Sequence, residues 1–247
     1  MMDEYSLRLA KGNIQSHRIV NKFGRNADVD LAAAEEVWAT GGLRTYLAAA
    51  ETLDIVSTDA ADAGAGTGAR TVLLEGCDAS FEEITEIVTL AGLTPVVTTQ
   101  AFIRLNRVFV VTTGTGLENA GIITIDPTSS GSGARQCTIA AGDGQSLIGH
   151  YLIPVSHSVY MISMHTSIAA AAGGASKQGN FRLFYRPTGG AWRIQNDFRQ
   201  RSDGSPSPDL ANGVPTKYET GDLKWIVSVD ADDTAAFVQY SMILVND

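Results

Sequence analysis

The stretch with the widest chemical scope runs from Lys177 to Arg201. Arg182, Arg186, Arg193 and Arg199 are interleaved there with Tyr185 and Trp192. Cations mixed with aromatics can bind nucleic acid, glycans or an acidic protein surface. Strand alternation sets Arg182 and Phe184 on one face, with Leu183 and Tyr185 on the other. The bland alternative is a hairpin whose arginines stay solvated or pair with acidic neighbours. Residues 48 to 143 are acid-rich through Glu51, Asp54, Glu75, Asp78, Glu82, Glu83 and Glu86. Charge complementarity within an oligomer therefore joins the readings of the basic segment.

Other constellations promise less. Gly64-x-Gly66-x-x-Ala69 faintly echoes a dinucleotide fingerprint, but that fingerprint needs a strand before it and a helix after it. Here Asp59-Ala-Ala-Asp-Ala63 precedes it and a strand-like run follows. His17, His150, His157 and His165 show no metal spacing, and no Gly-x-Ser-x-Gly elbow supports a nucleophile. Asp230-Ala-Asp-Asp233 could offer oxygens to calcium, yet it joins two strand-like runs and aspartate is a turn residue. Asp28-Val-Asp30 is a weaker version of the same. Cys77 and Cys137 lack zinc spacing and read as reduced, buried thiols, with a disulfide as the alternative. No catalytic, cofactor-binding or metal-binding residue is assigned, and the expectation is a non-enzyme with no cofactor.

The chain has 247 residues, 44% hydrophobic and 18% charged, which is a globular composition. Its net charge of −9 argues against nucleic acid as the main partner, since phosphate binding needs a basic field. The opening Met1-Met2-Asp3-Glu4 is acidic where a signal peptide is basic. No run approaches the roughly 18 apolar residues of a membrane span. These features predict assembly in a cytoplasm and no membrane partner.

Residues 1–47 show no core-forming period. They read as an extended basic arm, with at most two helical turns over Leu31-Ala-Ala-Ala-Glu-Glu-Val-Trp38 after Asp30 as N-cap. Residues 48–143 read as a first β domain. Its runs are Thr52–Ser57, Ala69–Glu75, Ile84–Leu90, Phe102–Val111, Gly121–Ile125 and the short edge Thr138-Ile139. Ser80-Phe-Glu-Glu83 matches a capping box, but the β-branched Thr85, Ile87, Val88 and Thr89 favour a strand. Residues 144–247 read as a second, jelly-roll-like domain. Its runs are Ile148–Pro154, Ser158–Ile168, Asn180–Arg186, Trp192–Phe198, Leu223–Asp230 and Thr234–Val245. The fold class is thus all-β: two antiparallel β-sandwich or jelly-roll domains behind an N-terminal arm. The second core is expected to hold Leu183, Tyr185, Ile194, Trp225, Val227, Val229, Phe237 and Ile243.

Several stretches resemble virion structural proteins of tailed bacteriophages. They are Ala10-Lys-Gly-Asn13, Asn21-Lys-Phe-Gly-Arg-Asn26, Ala65-Gly-Thr-Gly-Ala-Arg-Thr71, Glu86-Ile-Val-Thr-Leu90 and Thr94-Pro95. Tyr151-Leu-Ile-Pro154, Phe181-Arg-Leu-Phe-Tyr-Arg186 and Met242-Ile-Leu-Val245 extend the likeness. Cys77 departs from it, standing where a leucine is expected. The resemblance implies a non-enzymatic virion protein on the capsid surface. It favours a capsid decoration (cement) protein, homotrimeric, bound to the major capsid protein or other virion proteins. The rival is a tail-fibre or receptor-binding protein holding a host glycan, with Trp192 and Trp225 clustered in a groove. Partner contact is assigned to Arg18, Lys22, Phe23, Arg25 and Trp38 in the arm, and to Arg186, Arg193 and Arg199 in the basic hairpin.

Overall fold

The computed structural model describes residues 4–31, 33–170, 176–203 and 216–247. The chain divides into two compact units. Unit 1 is discontinuous, Met1–Val37 with Gly149–Asp247, and unit 2 is Trp38–Ile148. Unit 1 opens with α1 (Glu4–Ala10), β1 (His17–Val29) and β2 (Glu35–Glu36). Unit 2 carries β3 (Leu53–Ser57), β4 (Ala69–Cys77), β5 (Glu83–Thr89), β6 (Val96–Val97), β7 (Arg104–Thr113), β8 (Ile123–Pro127) and β9 (Cys137–Ile139). The chain then re-enters unit 1 as β10 (Tyr151–Ile153), β11 (His157–Ala170), β12 (Gln178–Pro187) and β13 (Arg193–Arg201). It ends with β14 (Thr216–Tyr218), β15 (Gly221–Val229) and β16 (Thr234–Asn246).

These strands make four antiparallel sheets. Unit 1 has the orders β1-β16-β11-β14 and β10-β15-β12-β13, with β2 paired to β15. Unit 2 has β6-β3-β8-β9 and β5-β4-β7. The two sheets of unit 1 enclose one apolar core, in which Trp225 of β15 meets Tyr240 of β16 at 6.2 Å between ring centroids. Burial pushes the Tyr240 phenol well above its ordinary pKa, and its hydroxyl donates to the Gly149 carbonyl.

The all-β composition stands, but the expected architecture is corrected. Two sandwich or jelly-roll domains in tandem behind an arm do not describe this chain. Residues 17–29 are no arm: β1 pairs with β16 from His17↔Val245 to Val29↔Thr234. Glu35 and Glu36 form a strand against Val227 and Ile226 where two helical turns were expected. The helix lies earlier, at Glu4–Ala10. Unit 2 is inserted between β2 and β10 and does not precede a second domain. Four sheets of three to five strands match the sheet complement of a four-bladed β-propeller. However, unit 1 gathers each of its larger sheets from distant stretches, where repeated blades use consecutive strands. The capsid-decoration role falls with the arm, because it required a free segment reaching along a neighbour.

The insertion leaves and returns at one point. The Gly149 amide donates to the Val37 carbonyl at 2.8 Å, and Trp38 bridges Ile148. A Cβ on Gly24 of β1 would lie 2.6 Å from the Val37 oxygen and 2.7 Å from the Gly149 nitrogen, so only glycine fits there. Unit 1 is accordingly expected to fold alone when residues 39–147 are replaced by a short Gly–Ser linker. A cooperative unfolding transition with a β-type far-ultraviolet spectrum checks this; a spectrum lacking ordered structure contradicts it.

Register corrects the expected core. Leu183, Trp225, Val227 and Val229 are buried, and Tyr185 packs against them. In β16 the buried positions are Ala236, Val238, Tyr240, Met242 and Leu244, so Phe237 and Ile243 face the other side. A one-residue slip inverts every side chain of a strand. Ile194 is 51% exposed.

Candidate protein-interaction face

The hairpin β12–β13 sets Arg182, Arg186 and Arg199 on the outer surface of the β10-β15-β12-β13 sheet. Phe181 and Leu183 turn into the core, so Arg182, Phe184 and Arg186 point outward. Cross-strand pairing extends this face. Phe184 lies between Ile194 and Lys224, Arg182 between Asp197 and Ile226, and Asn180 between Arg199 and Ser228. Its centre is apolar, and its rim sets cations beside the carboxylates of Asp197, Asp222 and Glu36, with Arg199 exposed beyond them.

One end of the face is fixed by ion pairs. The buried Asp222 carboxylate meets His150 Nε2 at 2.9 Å and Arg186 Nη2 at 2.5 Å. The Arg186 guanidinium lies 4.6 Å from the Trp192 ring centroid, and Lys224 Nζ lies 4.4 Å from it. Lys224 also reaches the buried Glu36 carboxylate at 3.2 Å. Trp192 is thus held half-buried between two cations, each anchored to its own carboxylate. Such cation–π contacts strengthen as they are desolvated. At the other end, Arg182 and Asp197 form an exposed pair at 3.3 Å, worth little in stability. Arg199 is exposed beyond them.

The expected contact residues separate. Arg186 and Arg199 share the outer face. Arg193 pairs with Tyr185 and so lies on the opposite face. Lys22 and Trp38 are buried: Lys22 Nζ lies 5.9 Å from the Tyr151 ring, and Trp38 Nε1 donates to the Gly42 carbonyl. Phe23 and Arg25 lie on the outer side of the other unit 1 sheet, where Arg25 stacks on Phe237 at 5.8 Å. Arg18 lines a surface hollow of ≈ 350 Å³ with His17, His157 and Asn246. Sequence reasoning missed Lys224, Asp222, His150 and Glu36. The signal for Lys224 was present, since alternation in Leu223-Lys-Trp-Ile-Val turns it away from Trp225. The pairing of β2 with β15 joins residues roughly 190 apart and left no local sign.

The glycan-groove expectation is corrected here too. Trp225 is 1% exposed in the core, while Trp192 sits on the other face of the sheet. The two indoles share no groove.

The remaining constellations have structural roles. Asp230 Oδ1 accepts the Gln178 amide and Asp232 Oδ1 the Leu31 amide, so this turn uses its carboxylates on backbone. Among the described residues no group of three or more His, Cys, Asp or Glu is placed to hold a metal ion. Among them, too, no helix is long and apolar enough to cross a membrane. Beside the glycine-rich loop the buried Asp62 accepts the Ala69, Ala120 and Gly121 amides and the Ser57 hydroxyl. An internal carboxylate therefore takes the donor that a phosphate at that helix-less loop would need. Cys77 and Cys137 are buried and form no disulfide.

Comparison with known proteins adds little. No family model matches the chain, and no curated protein matches it. A solved structure of infectious bursal disease virus, Gt strain, aligns at 8% identity over 94% of this chain and 72% of that one. Its TM-score is 0.22, and the likeness carries no argument about fold or function.

Proposed function

We propose that this chain is a non-enzymatic assembly protein that binds another protein through the outer face of β15, β12 and β13. One observation supports the reading. Ile194, Phe184 and Trp192 lie on one sheet face among Arg182, Arg186, Arg199 and Lys224. Aromatic and arginine anchors around an apolar centre are the composition of protein-contact hot spots. Arg199, exposed beyond the ion pairs, suits an acidic partner. The resemblance to phage virion proteins makes another virion protein the expected partner class, the particle the expected location and a homotrimer the expected assembly.

The test is surface plasmon resonance of the full chain over an immobilised peptide alternating glutamate with leucine. Binding is expected at low salt and is expected to weaken as salt shortens the screening length from about 10 Å at 0.1 M. Ile194→Asp combined with Arg199→Glu changes two exposed positions and is expected to lower affinity at least tenfold with the unfolding midpoint preserved. Equal binding by wild type and variant, or binding by neither, contradicts the proposal.

A further inference from the structure

Charge is divided unevenly between the units. Residues 38–148 hold five arginines, no lysine and twelve aspartates and glutamates, a net −7 of the chain's −9. Residues 177–201 hold six basic residues against one aspartate. The acid concentrates at one hairpin: residues 71–89 carry Glu75, Asp78, Glu82, Glu83 and Glu86 and no base.

That hairpin is β4–β5, and it also carries an apolar row. Ile87 pairs with Leu73, which pairs with Phe109 of β7. Ile87 is 61% exposed, and Leu73 and Phe109 are half-buried. Val72 and Leu74 face the core, so the row lies on the outer face of the sheet. Glu75 pairs with Thr85 on that face, and Glu82 and Glu83 are exposed at the hairpin tip. Arg107, opposite Glu75, also lies on this surface and stacks on Phe109 at 4.7 Å. Asp78 Oδ1 accepts the Ser80 and Glu82 amides, which fixes the tip that presents these carboxylates. The β5 edge is capped in part: Glu86 accepts the Thr99 and Gln100 amides, and Gln100 Nε2 donates to the Thr85 carbonyl. Strand addition along that edge is blocked at Thr85, leaving the face as the surface for docking.

We infer that the partner of the basic face is a second copy of this chain, docked through the acidic outer face of its β4–β5 hairpin. The inference rests on the proposed docking role of the basic face. An apolar row flanked by Glu75 and the exposed Glu82 and Glu83 meets an apolar row flanked by the exposed Arg199 and the ion-paired Arg182 and Arg186, so burial and charge agree. The contact is heterologous, with different surfaces on the two copies. It leaves each copy of a pair with one unused surface, acidic on one and basic on the other, and association continues until a ring closes.

Sedimentation equilibrium of two full-chain variants tests this. Ile194→Asp with Arg199→Glu damages only the basic face. Ile87→Asp damages only the acidic one. Wild type is expected to associate beyond a dimer at low salt, and each variant alone is expected to be monomeric. Mixed in equal amounts, they are expected to form a dimer that grows no further, because one intact pair of surfaces remains. Failure of the mixture to associate, association of Ile87→Asp at wild-type strength, or a monomeric wild type overturns the inference. A monomeric wild type that still binds the acidic peptide leaves the docking role standing and removes only the self-partner.

Discussion

Replacing Asp62 by alanine is expected to destabilise unit 2 by about 3–5 kcal/mol, among the largest effects of any single change in it. The side chain is fully buried and its two oxygens serve four donors at 2.6–2.9 Å. Removing it strands three backbone amides and a hydroxyl away from water. The same group gives a pH signature. Burial raises the Asp62 pKa, but the Ser57 hydroxyl and the Gly121, Ala120 and Ala69 amides outweigh it and hold it below 3.8. A carboxyl with a folded pKa below its unfolded one stabilises the fold above the unfolded value. That contribution is lost as pH falls through the folded value. The unfolding midpoint of wild type should therefore decline as pH drops below the ordinary carboxylate range. Asp62→Ala should decline less. Parallel melting curves for the two proteins from pH 7 to pH 3 count against this assignment.

The second large effect belongs to the unit 1 core. Trp225→Ala is expected to cost about 3–5 kcal/mol, because a fully buried indole leaves both a transfer loss and a cavity. Trp225 packs edge-on to Phe198 at 6.1 Å and against Tyr240, so its loss loosens both sheets. Phe237→Ala is the matched control. Phe237 is half-buried beneath Arg25, and its removal is expected to cost about 1 kcal/mol. Denaturant midpoints compare them directly. A larger cost at Phe237 than at Trp225 contradicts the register of β16 against the core.

These residues show which parts of the structure were legible in the sequence. The strand runs from Thr52 to Ser57 and from Leu223 to Asp230 alternate strongly, and both form strands. β5 forms despite its capping-box pattern, because Asp78 and not Ser80 organises the turn while Glu83 to Thr89 pair with β4. β1 was illegible for a chemical reason. Its inward positions are Lys22, Gly24 and Asn26, where a strand pattern calls for apolar residues. They face inward to reach Tyr151, the Val37–Gly149 crossing and the buried Glu35 carboxylate. In β16 both parities are apolar, since Phe237, Ile243 and Val245 balance Val238, Met242 and Leu244. Local pattern therefore could not choose the face. In the candidate site, alternation set Arg182 and Phe184 outward as found. Arg193 falls on the opposite face because the bulge between Leu183 and Phe184 shifts the register on β13. Trp192 stacking between Arg186 and Lys224 depends on the β12–β15 pairing, which spans the chain from Gly179–Pro187 to Gly221–Val229.

On the proposed function, the outer face of β15, β12 and β13 is covered by a protein partner. Hydroxyl-radical footprinting of the full chain, dilute and in its assembled state, tests it most directly. Trp192, Phe184 and Ile194 are expected to lose labelling several-fold on assembly. The exposed Leu117 and Ile122 of unit 2, which lie off both proposed surfaces, are expected to keep theirs. Unchanged labelling at Trp192 and Ile194 in the assembled state contradicts the account.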